Sequence, residues 1–495
     1  MNTLRLKNYR CFDDTGDINL KPLTLLVGAN SSGKSSFLKF FPLIKQSVGI
    51  KKKGVFLWYS DDVDFKDFKN TVKDGKGNIV IGIEQNLIDR IDDTDNKAFV
   101  EYFEDHNIKY NGTTAYIEMT ISEVDDNTDY LKQLSISFED HKISILFTKT
   151  NKAKITINND SFGYDAYGNT QMTGGLLPRI VFMDNDMGIF GSNQVRKTIL
   201  DYLDFDNTPK KSLIQTMLFR SFYFLKKEHL ENWFKTEIKS KRIDLNRLIN
   251  LYLLYHLNDI IDMVNSSVSS IAVNTSYVRP LRVMPERYYR YQNYSVDEIA
   301  SDGKNLAMYF ANLKESELIK FQGWTSKLFG FKLKPHKLEG HVEIDIIEEG
   351  EEGRNMVDTG FGYNQLLPIL AIIWNALNNK QRMFYFPYVE HSIKFIVIEQ
   401  PELHLHPRIM AMFAEMLCSV ISGLKKDEDV RFIIETHSET IINKVGALIQ
   451  SSRIDENKVN VVLFNAQKEG LNNYVEQATY DSKGYLNNWP TGFFL

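Results

Sequence analysis

The sequence predicts an α/β fold whose parallel core is split by an antiparallel β lobe and a mainly helical insertion. Three observations carry this. Strand-and-helix alternation occupies both ends of the 495-residue chain, period-two patterning fills residues from about 75 to 160, and apolar groups recur at helical spacing from about 193 to 265.

The elements follow in chain order. Leu4 to Lys7 is expected as a strand, and Leu23 to Val27 (LTLLV) as a short buried one. The run Gly28 to Ser36 (GANSSGKSS) follows, with Gly28, Gly33, Lys34 and Ser35 in the spacing of a phosphate loop. Ser35 to Ile44 then reads as one helix, with Phe37, Leu38, Phe41 and Ile44 as its apolar positions. A strand feeding a glycine-rich turn into a helix converges backbone N–H groups on one point, which favours a bound polyphosphate. Gly28, Asn30, Ser31, Ser32, Gly33, Lys34, Ser35 and Ser36 are therefore the expected phosphate-binding residues. Lys34 would reach the β- and γ-phosphates, and the Ser35 hydroxyl would bind Mg²⁺.

Asn78 to Glu84, Ala115 to Thr120, Leu134 to Phe138, Ile143 to Thr148 and Lys154 to Ile157 alternate as half-buried strands do. Turn residues separate them at Asp92 to Asn96 and at Asn111-Gly112. Leu218, Phe222 and Leu225, then Leu248, Leu251 and Tyr255, mark the helical stretch, and no heptad run predicts a coiled-coil arm. From about 360 the alternation returns, with a helix after Gly362, a strand at Ile393 to Ile398 and a helix at Pro407 to Leu424. A strand at Arg431 to Glu435, a helix from Ser438 and a strand at Val459 to Phe464 complete it. The expected division is a split core of residues 1–60 and 270–495, a β-rich lobe of 61–192 and a helical insertion of 193–269.

Bulk properties bound the function. A net charge of −5 does not imply wholesale binding to nucleic acid, although lysine runs at Lys51 to Lys53, Lys210-Lys211, Lys226-Lys227 and Lys239 to Arg242 are candidate phosphate contacts. Two cysteines, Cys11 and Cys418, exclude a disulfide framework and a Cys-x-x-Cys zinc hook. The N-terminal MNTLRLKNYR lacks a signal peptide's apolar segment, and Leu366 to Trp374 is too short to span a bilayer, so a cytoplasmic protein without membrane contact is expected.

A phosphate loop needs an acidic element at the end of a neighbouring strand. Lys394 to Ile398 supplies the strand, and Glu399-Gln400-Pro401-Glu402 follows, with Glu399 placed as the metal-binding carboxylate beside Ser35. His404 and His406 admit a rival reading as a metal pair near Glu402.

IEQPELHLHP (Ile398 to Pro407) with ETHSE downstream (Glu435 to Glu439) resembles the ABC-type ATPases of the RecF, SMC and OLD group. Within that group the chain is most similar to compact ATPases of bacterial anti-phage defence operons, of the Septu and PARIS types. The resemblance implies a P-loop ABC-type ATPase head that uses ATP and Mg²⁺. It assigns His437 to sensing the γ-phosphate. Asp358 to Gln365 resembles a degenerate ABC signature, in which Gly362 and Asn364 touch the nucleotide held by a partner subunit. Arg5 to Phe12 resembles the first-strand motif, whose arginine, here Arg10, lies near the nucleotide. Tyr277 to Tyr288, with Arg282 and Arg287 inside it, and Trp489 to Phe494 resemble segments of the same defence ATPases.

One position departs from the pattern. The residue after the metal-binding acid is usually a second carboxylate that polarises water, and here it is Gln400. An amide holds a water but takes no proton, so slow hydrolysis is expected unless Glu402 points back. Gln46 and Val63 to Phe68 are the candidates for the Q-loop. The resemblance implies a homo-oligomer, at least a dimer, that senses a trigger such as DNA or a phage component and controls a separate effector nuclease. The stretch after His437 is too short for the Toprim nuclease domain of full OLD proteins. A RecF-like DNA-binding ATPase of repair or chromosome maintenance is the alternative.

Overall fold

A computed structural model of the protein describes residues 1–87, 113–125, 128–169, 175–183, 192–203, 226–237, 244–291, 298–378, 393–426, 428–468 and 471–489, with isolated positions between them. The expected turns at Asp92 to Asn96 and Asn111-Gly112, the runs Lys210-Lys211 and Lys239 to Arg242, and residues 490–495 lie outside the described residues. The fold is mixed α/β with a P-loop core, an antiparallel lobe and helical insertions.

The chain divides into two compact units, one built from Met1–Asp17 and Leu43–Ala272, the other from Ile18–Pro42, Val273–Tyr385 and His391–Leu495. These boundaries differ from the expected ones: residues 1–17 and 43–60, assigned from sequence to the core, belong to the unit that contains the lobe.

The first unit is dominated by an antiparallel sheet in the order Arg179–Phe182, Asp160–Asn169, Lys152–Ile157, His141–Phe147, Thr128–Phe138, Thr113–Asp125, Ile79–Leu87, Thr3–Tyr9 and Phe12–Asp14. From Ile79–Leu87 to Arg179–Phe182 strands consecutive in the chain pair antiparallel, and alternate residues over most of Thr128–Phe138 are buried, as the period-two pattern requires. Helices Ser192–Tyr202, Lys227–Glu237, Leu245–Tyr255 and Leu257–Val273 follow in the same unit. Asn250 ties helix Leu245–Tyr255 to the sheet, accepting from Asn158 at 2.8 Å and donating to Asp160 at 2.7 Å.

In the second unit the sheet order is Thr275–Val278, Lys394–Glu399, Val430–Glu435, Leu23–Gly28, Val459–Lys468, Leu471–Tyr480 and Leu486–Asn487. The first five strands are parallel, the last two antiparallel. The strand before the phosphate loop therefore lies between two strands more than 400 residues away, as the split core requires. All six residues of Leu23–Gly28 are buried, and helices Phe361–Asn378, Pro407–Gly423 and Glu439–Gln450 contribute to the same apolar core. A smaller sheet, in which Phe331–Leu338 and His341–Glu348 form a hairpin flanked by Tyr289–Arg290 and Arg354–Asn355, had no counterpart in the sequence reading.

The single helix expected at Ser35 to Ile44 is two helices, Lys34–Leu38 and Phe40–Ser47. Pro42 is the reason. It has no N–H to donate to the carbonyl four residues back, so it is tolerated only in a first turn, and the chain starts a new helix at Phe40.

Among the described residues no helix is long and apolar enough to cross a membrane.

Candidate nucleotide site

The loop between strand Leu23–Gly28 and helix Lys34–Leu38 has the backbone its glycines predict. Gly33 has φ 105°, a left-handed conformation that glycine adopts without strain, and Ser31 adopts φ 62°. A Cβ on Gly28 would stand 2.4 Å from the carbonyl oxygen of Phe464 and 2.7 Å from Ser32 Oγ, so only glycine fits beside the neighbouring strand. Asn30 and Ser31 are exposed at the tip, while Gly33, Ser35 and Ser36 are half-buried. Lys34 is 3% exposed, and its ammonium donates to the carbonyls of Gly28 at 3.0 Å and Ala29 at 2.7 Å. Burial holds the Lys34 amine below the usual lysine range, against the pull of Glu435 and Glu402.

The acidic side of the site comes from two parallel strands that end level. Glu399 closes Lys394–Glu399 and Glu435 closes Val430–Glu435, and the two residues are register partners. Both are buried, which disfavours their charged forms. The Glu399 carboxyl is pushed up to about 7 by burial, opposed by Lys39 and by the Tyr277 hydroxyl, which donates to its Oε1 at 2.6 Å. The Glu435 carboxyl is also raised by burial, opposed by Ser35, Lys34 and Lys39. Ser35 Oγ donates to Glu435 Oε1 at 2.9 Å, so the serine expected beside Glu399 is hydrogen-bonded to Glu435.

Beyond Glu399 the chain turns sharply. Gln400 has φ 42°, and its N–H donates to the Glu435 carbonyl at 2.9 Å. Both oxygens of Glu402 are committed to the turn that carries His437: Oε1 accepts the His437 N–H at 2.6 Å and Oε2 the Thr436 hydroxyl at 3.0 Å. His437 is half-buried with its Nε2 unpartnered, and burial followed by the charge of Lys34 keeps its imidazole below the usual range, so it is mostly neutral near pH 7. His406 Nδ1 accepts the Arg408 N–H at 3.2 Å and so caps helix Pro407–Gly423. Among the described residues no group of three or more His, Cys, Asp or Glu forms a metal cluster.

Arg282 is 5% exposed and braces this turn. Its guanidinium donates to the carbonyls of Glu399 at 3.1 Å and Gln400 at 3.3 Å, and to Gln365 Oε1 at 3.3 Å on helix Phe361–Asn378. Arg287 forms a two-pronged pair with Asp358, at 2.9 and 2.6 Å. Gly362 is half-buried, with Ile409 Cδ1 3.7 Å from where a Cβ would sit. Asn364 is 7% exposed, and its buried Oδ1 has no partner. Arg10 belongs to the other unit, where it donates to the Asn70 carbonyl at 2.8 Å and lies 4.8 Å over the Phe65 ring. Gln46 donates to the carbonyls of Leu57 and Val63 and accepts the Val63 N–H, so its amide pins the loop that follows.

These residues fit a Mg²⁺-bound triphosphate. Ser32 Oγ, Glu435 Oε2 and His437 Nε2 are buried without partners, which folding alone does not reward. Mg²⁺ is ordinarily held by one or two carboxylates together with phosphate oxygens and waters, and Glu399 with Ser35 would supply the protein's share of such a shell.

The family model for the AAA ATPase domain matches residues 1–442. The chain belongs to that family. No curated protein matches it. Among solved structures, this AAA ATPase is similar to the SMC head domain from Thermotoga maritima, at 11% identity over 97% of this chain and 98% of that one, with a TM-score of 0.34. It is also similar to the Smc head domain with an extended coiled coil bound to the C-terminal domain of ScpA derived from Pyrococcus furiosus, at 12% identity over 97% and 96% of the two chains and a TM-score of 0.34. Similarity at that level does not bear on what this ATPase binds.

The sequence reading assigned no role to Glu435 or Tyr277. A signal for Glu435 was present: FIVIE and FIIE are both apolar strands ending in a glutamate, the pattern that identified Glu399.

Proposed function

We propose that this AAA ATPase is a slow nucleotide-gated switch in which ATP occupancy, more than turnover, sets the state. The observation that carries the reading is the set of unpartnered buried polar atoms, Ser32 Oγ, Glu435 Oε2 and His437 Nε2, on the loop, strand end and turn expected to surround the phosphates. In this reading the loop residues 28–36 bind the phosphates, Ser35 and Glu399 hold Mg²⁺, and neutral His437 reads the γ-phosphate. Bound Mg²⁺ would neutralise charge on the phosphates. Slow chemistry follows from Gln400, which takes no proton, and from Glu402, whose two oxygens are already bonded to Thr436 and His437.

Gly362 and its helix are proposed to meet the nucleotide of a second copy, which links ATP binding to self-association by mass action. Two settings follow. In one, the ATP-loaded assembly acts on DNA in the RecF-like manner. In the other, it controls a separate effector nuclease in anti-phage defence. The family match names the ATPase and no defence subfamily, so the DNA setting is tested first. Lys52 is unavailable to DNA, because its ammonium is turned inward onto the Ser47 carbonyl and burial pushes it down to about 8.

The reading is tested by equilibrium binding of a fluorescent ATP analogue together with steady-state phosphate release. Wild type should bind and turn over more slowly than about one per second, a low value for an enzyme, and Lys34→Ala should lose binding at least a hundredfold. Fast turnover, or unchanged binding by Lys34→Ala, would overturn it. Duplex affinity that falls steeply with salt supports the DNA setting, and absence of binding removes it.

A further inference from the structure

We infer that Glu435 is a second carboxylate of the Mg²⁺ site, holding the Ser35 hydroxyl with one oxygen and facing the metal shell with the other. The inference rests on the reading of the site as one for ATP and Mg²⁺, and assigns it a residue that the phosphate-loop pattern does not include.

Four observations converge. Glu435 and Glu399 are register partners on adjacent parallel strands, so their side chains leave the sheet on the same face and at the same level. Ser35, the hydroxyl expected on the metal, donates to Glu435 at 2.9 Å, whereas Glu399 Oε1 receives the Tyr277 hydroxyl at 2.6 Å. Glu435 is 2% exposed, and its second oxygen, Oε2, is buried without a hydrogen-bond partner. Lys34, one of two cations whose charge bears on Glu435 beside Lys39, donates to the carbonyls of Gly28 and Ala29 instead of to this carboxylate.

A carboxylate that served only to anchor Ser35 would need one oxygen and would gain by presenting the other to water or to a donor. Keeping Oε2 dry and unpaired next to a second buried carboxylate is costly in the folded chain, and a divalent cation removes that cost. A serine hydroxyl can also coordinate a metal through its oxygen lone pairs while it still donates its proton to a neighbouring carboxylate, so the Ser35–Glu435 bond need not break on loading. Glu435 in this role both orients a ligand and adds negative charge, as outer-shell carboxylates do in metal sites.

The test uses the full chain and reads metal dependence without hydrolysis. A fluorescent ATP analogue is titrated in EDTA, and then at fixed analogue concentration with increasing Mg²⁺. Glu435→Gln should still bind the analogue in EDTA, which reports an intact loop, and its Mg²⁺ response is read against that metal-free baseline. It should raise the Mg²⁺ concentration needed for half of the metal-dependent change by about tenfold or more, the size of outer-shell losses, and Glu399→Gln should do likewise. Glu435→Asp keeps the charge but withdraws it by one methylene, and carries the test should the Gln variant fail to fold. It too should raise the Mg²⁺ requirement. If the Glu435 variants respond to Mg²⁺ as wild type does while Glu399→Gln is impaired, Glu435 is only an anchor for Ser35 and the inference fails. If wild type itself binds no analogue, the ATP reading fails and takes this inference with it.

Discussion

Glu399→Gln should make the nucleotide-free protein more stable at alkaline pH while weakening its response to Mg²⁺. The Glu399 carboxyl rises from its ordinary 4.5 to about 7 because burial disfavours its charge. At 1.36 kcal/mol per tenfold, that rise corresponds to roughly 3 kcal/mol once the group is ionised. The sign follows from linkage: with the folded value above the unfolded one, the protonated group carries the stability, which is lost as pH rises from about 4.5 through 7. Lys39, Arg279, the Tyr277 hydroxyl and Glu435 face this group, the first three favouring its charge and Glu435 opposing it. Glutamine keeps an oxygen for the Tyr277 hydroxyl and carries no charge, so it escapes the penalty. Thermal unfolding in EDTA at pH 5.5 and 8.5 measures the effect. The wild-type midpoint should fall between the two, and Glu399→Gln should fall less. At pH 8.5 the variant should melt about 3 °C higher, since each kcal/mol moves a midpoint by only about 1 °C in a chain of 495 residues. A variant that melts lower than wild type at pH 8.5, or one with the same pH dependence, would refute the assignment of a buried, strained carboxylate.

Two further outcomes are expected. Gln400→Glu restores a proton acceptor at the turn after the metal-binding acid, so steady-state phosphate release should rise at least tenfold; an unchanged rate would show that the amide is not what limits turnover. Cys418 is buried on helix Pro407–Gly423 and burial pushes its thiol up to about 12, so in the native protein it should react with iodoacetamide at pH 8 more than a hundredfold slower than in the unfolded chain. Mass spectrometry against the half-buried Cys11 reads this directly, and equal labelling of the two would contradict the packing.

Much of the core was legible because its signals are local. The phosphate loop announces itself through residues whose spacing has one geometric use, and LTLLV, FIVI and FII are short, β-branched-rich or aromatic apolar runs that suit buried parallel strands. Other features depended on partners distant in the chain. Thr275–Val278 is a four-residue strand with every residue buried, so it shows no alternation and only its pairing with Lys394–Glu399 defines it. Asp160–Asn169 is polar, carries glycines and shifts register between Phe162 and Ala166, which hides its period of two. The hairpin Phe331–Leu338 and His341–Glu348 was readable, since both strands alternate over part of their length and Gly340 sits in a left-handed turn between them. At the site, sequence located Glu399 by its motif but not Glu435, because a glutamate's role here depends on which strand lies beside the loop. Arg282 illustrates the same limit. An arginine flanked by Pro and Tyr serves a phosphate or the structure equally well by sequence, and burial among the carbonyls of Glu399 and Gln400 makes this one a brace.

The central claim is that nucleotide at the 28–36 loop gates the state of the molecule, and mass photometry of the full chain tests it most directly. Measured with and without ATP and Mg²⁺, wild type should shift from a smaller to a larger assembly, and Lys34→Ala should not respond. A wild-type mass that ignores nucleotide, or a Lys34→Ala variant that assembles as wild type does, would contradict it.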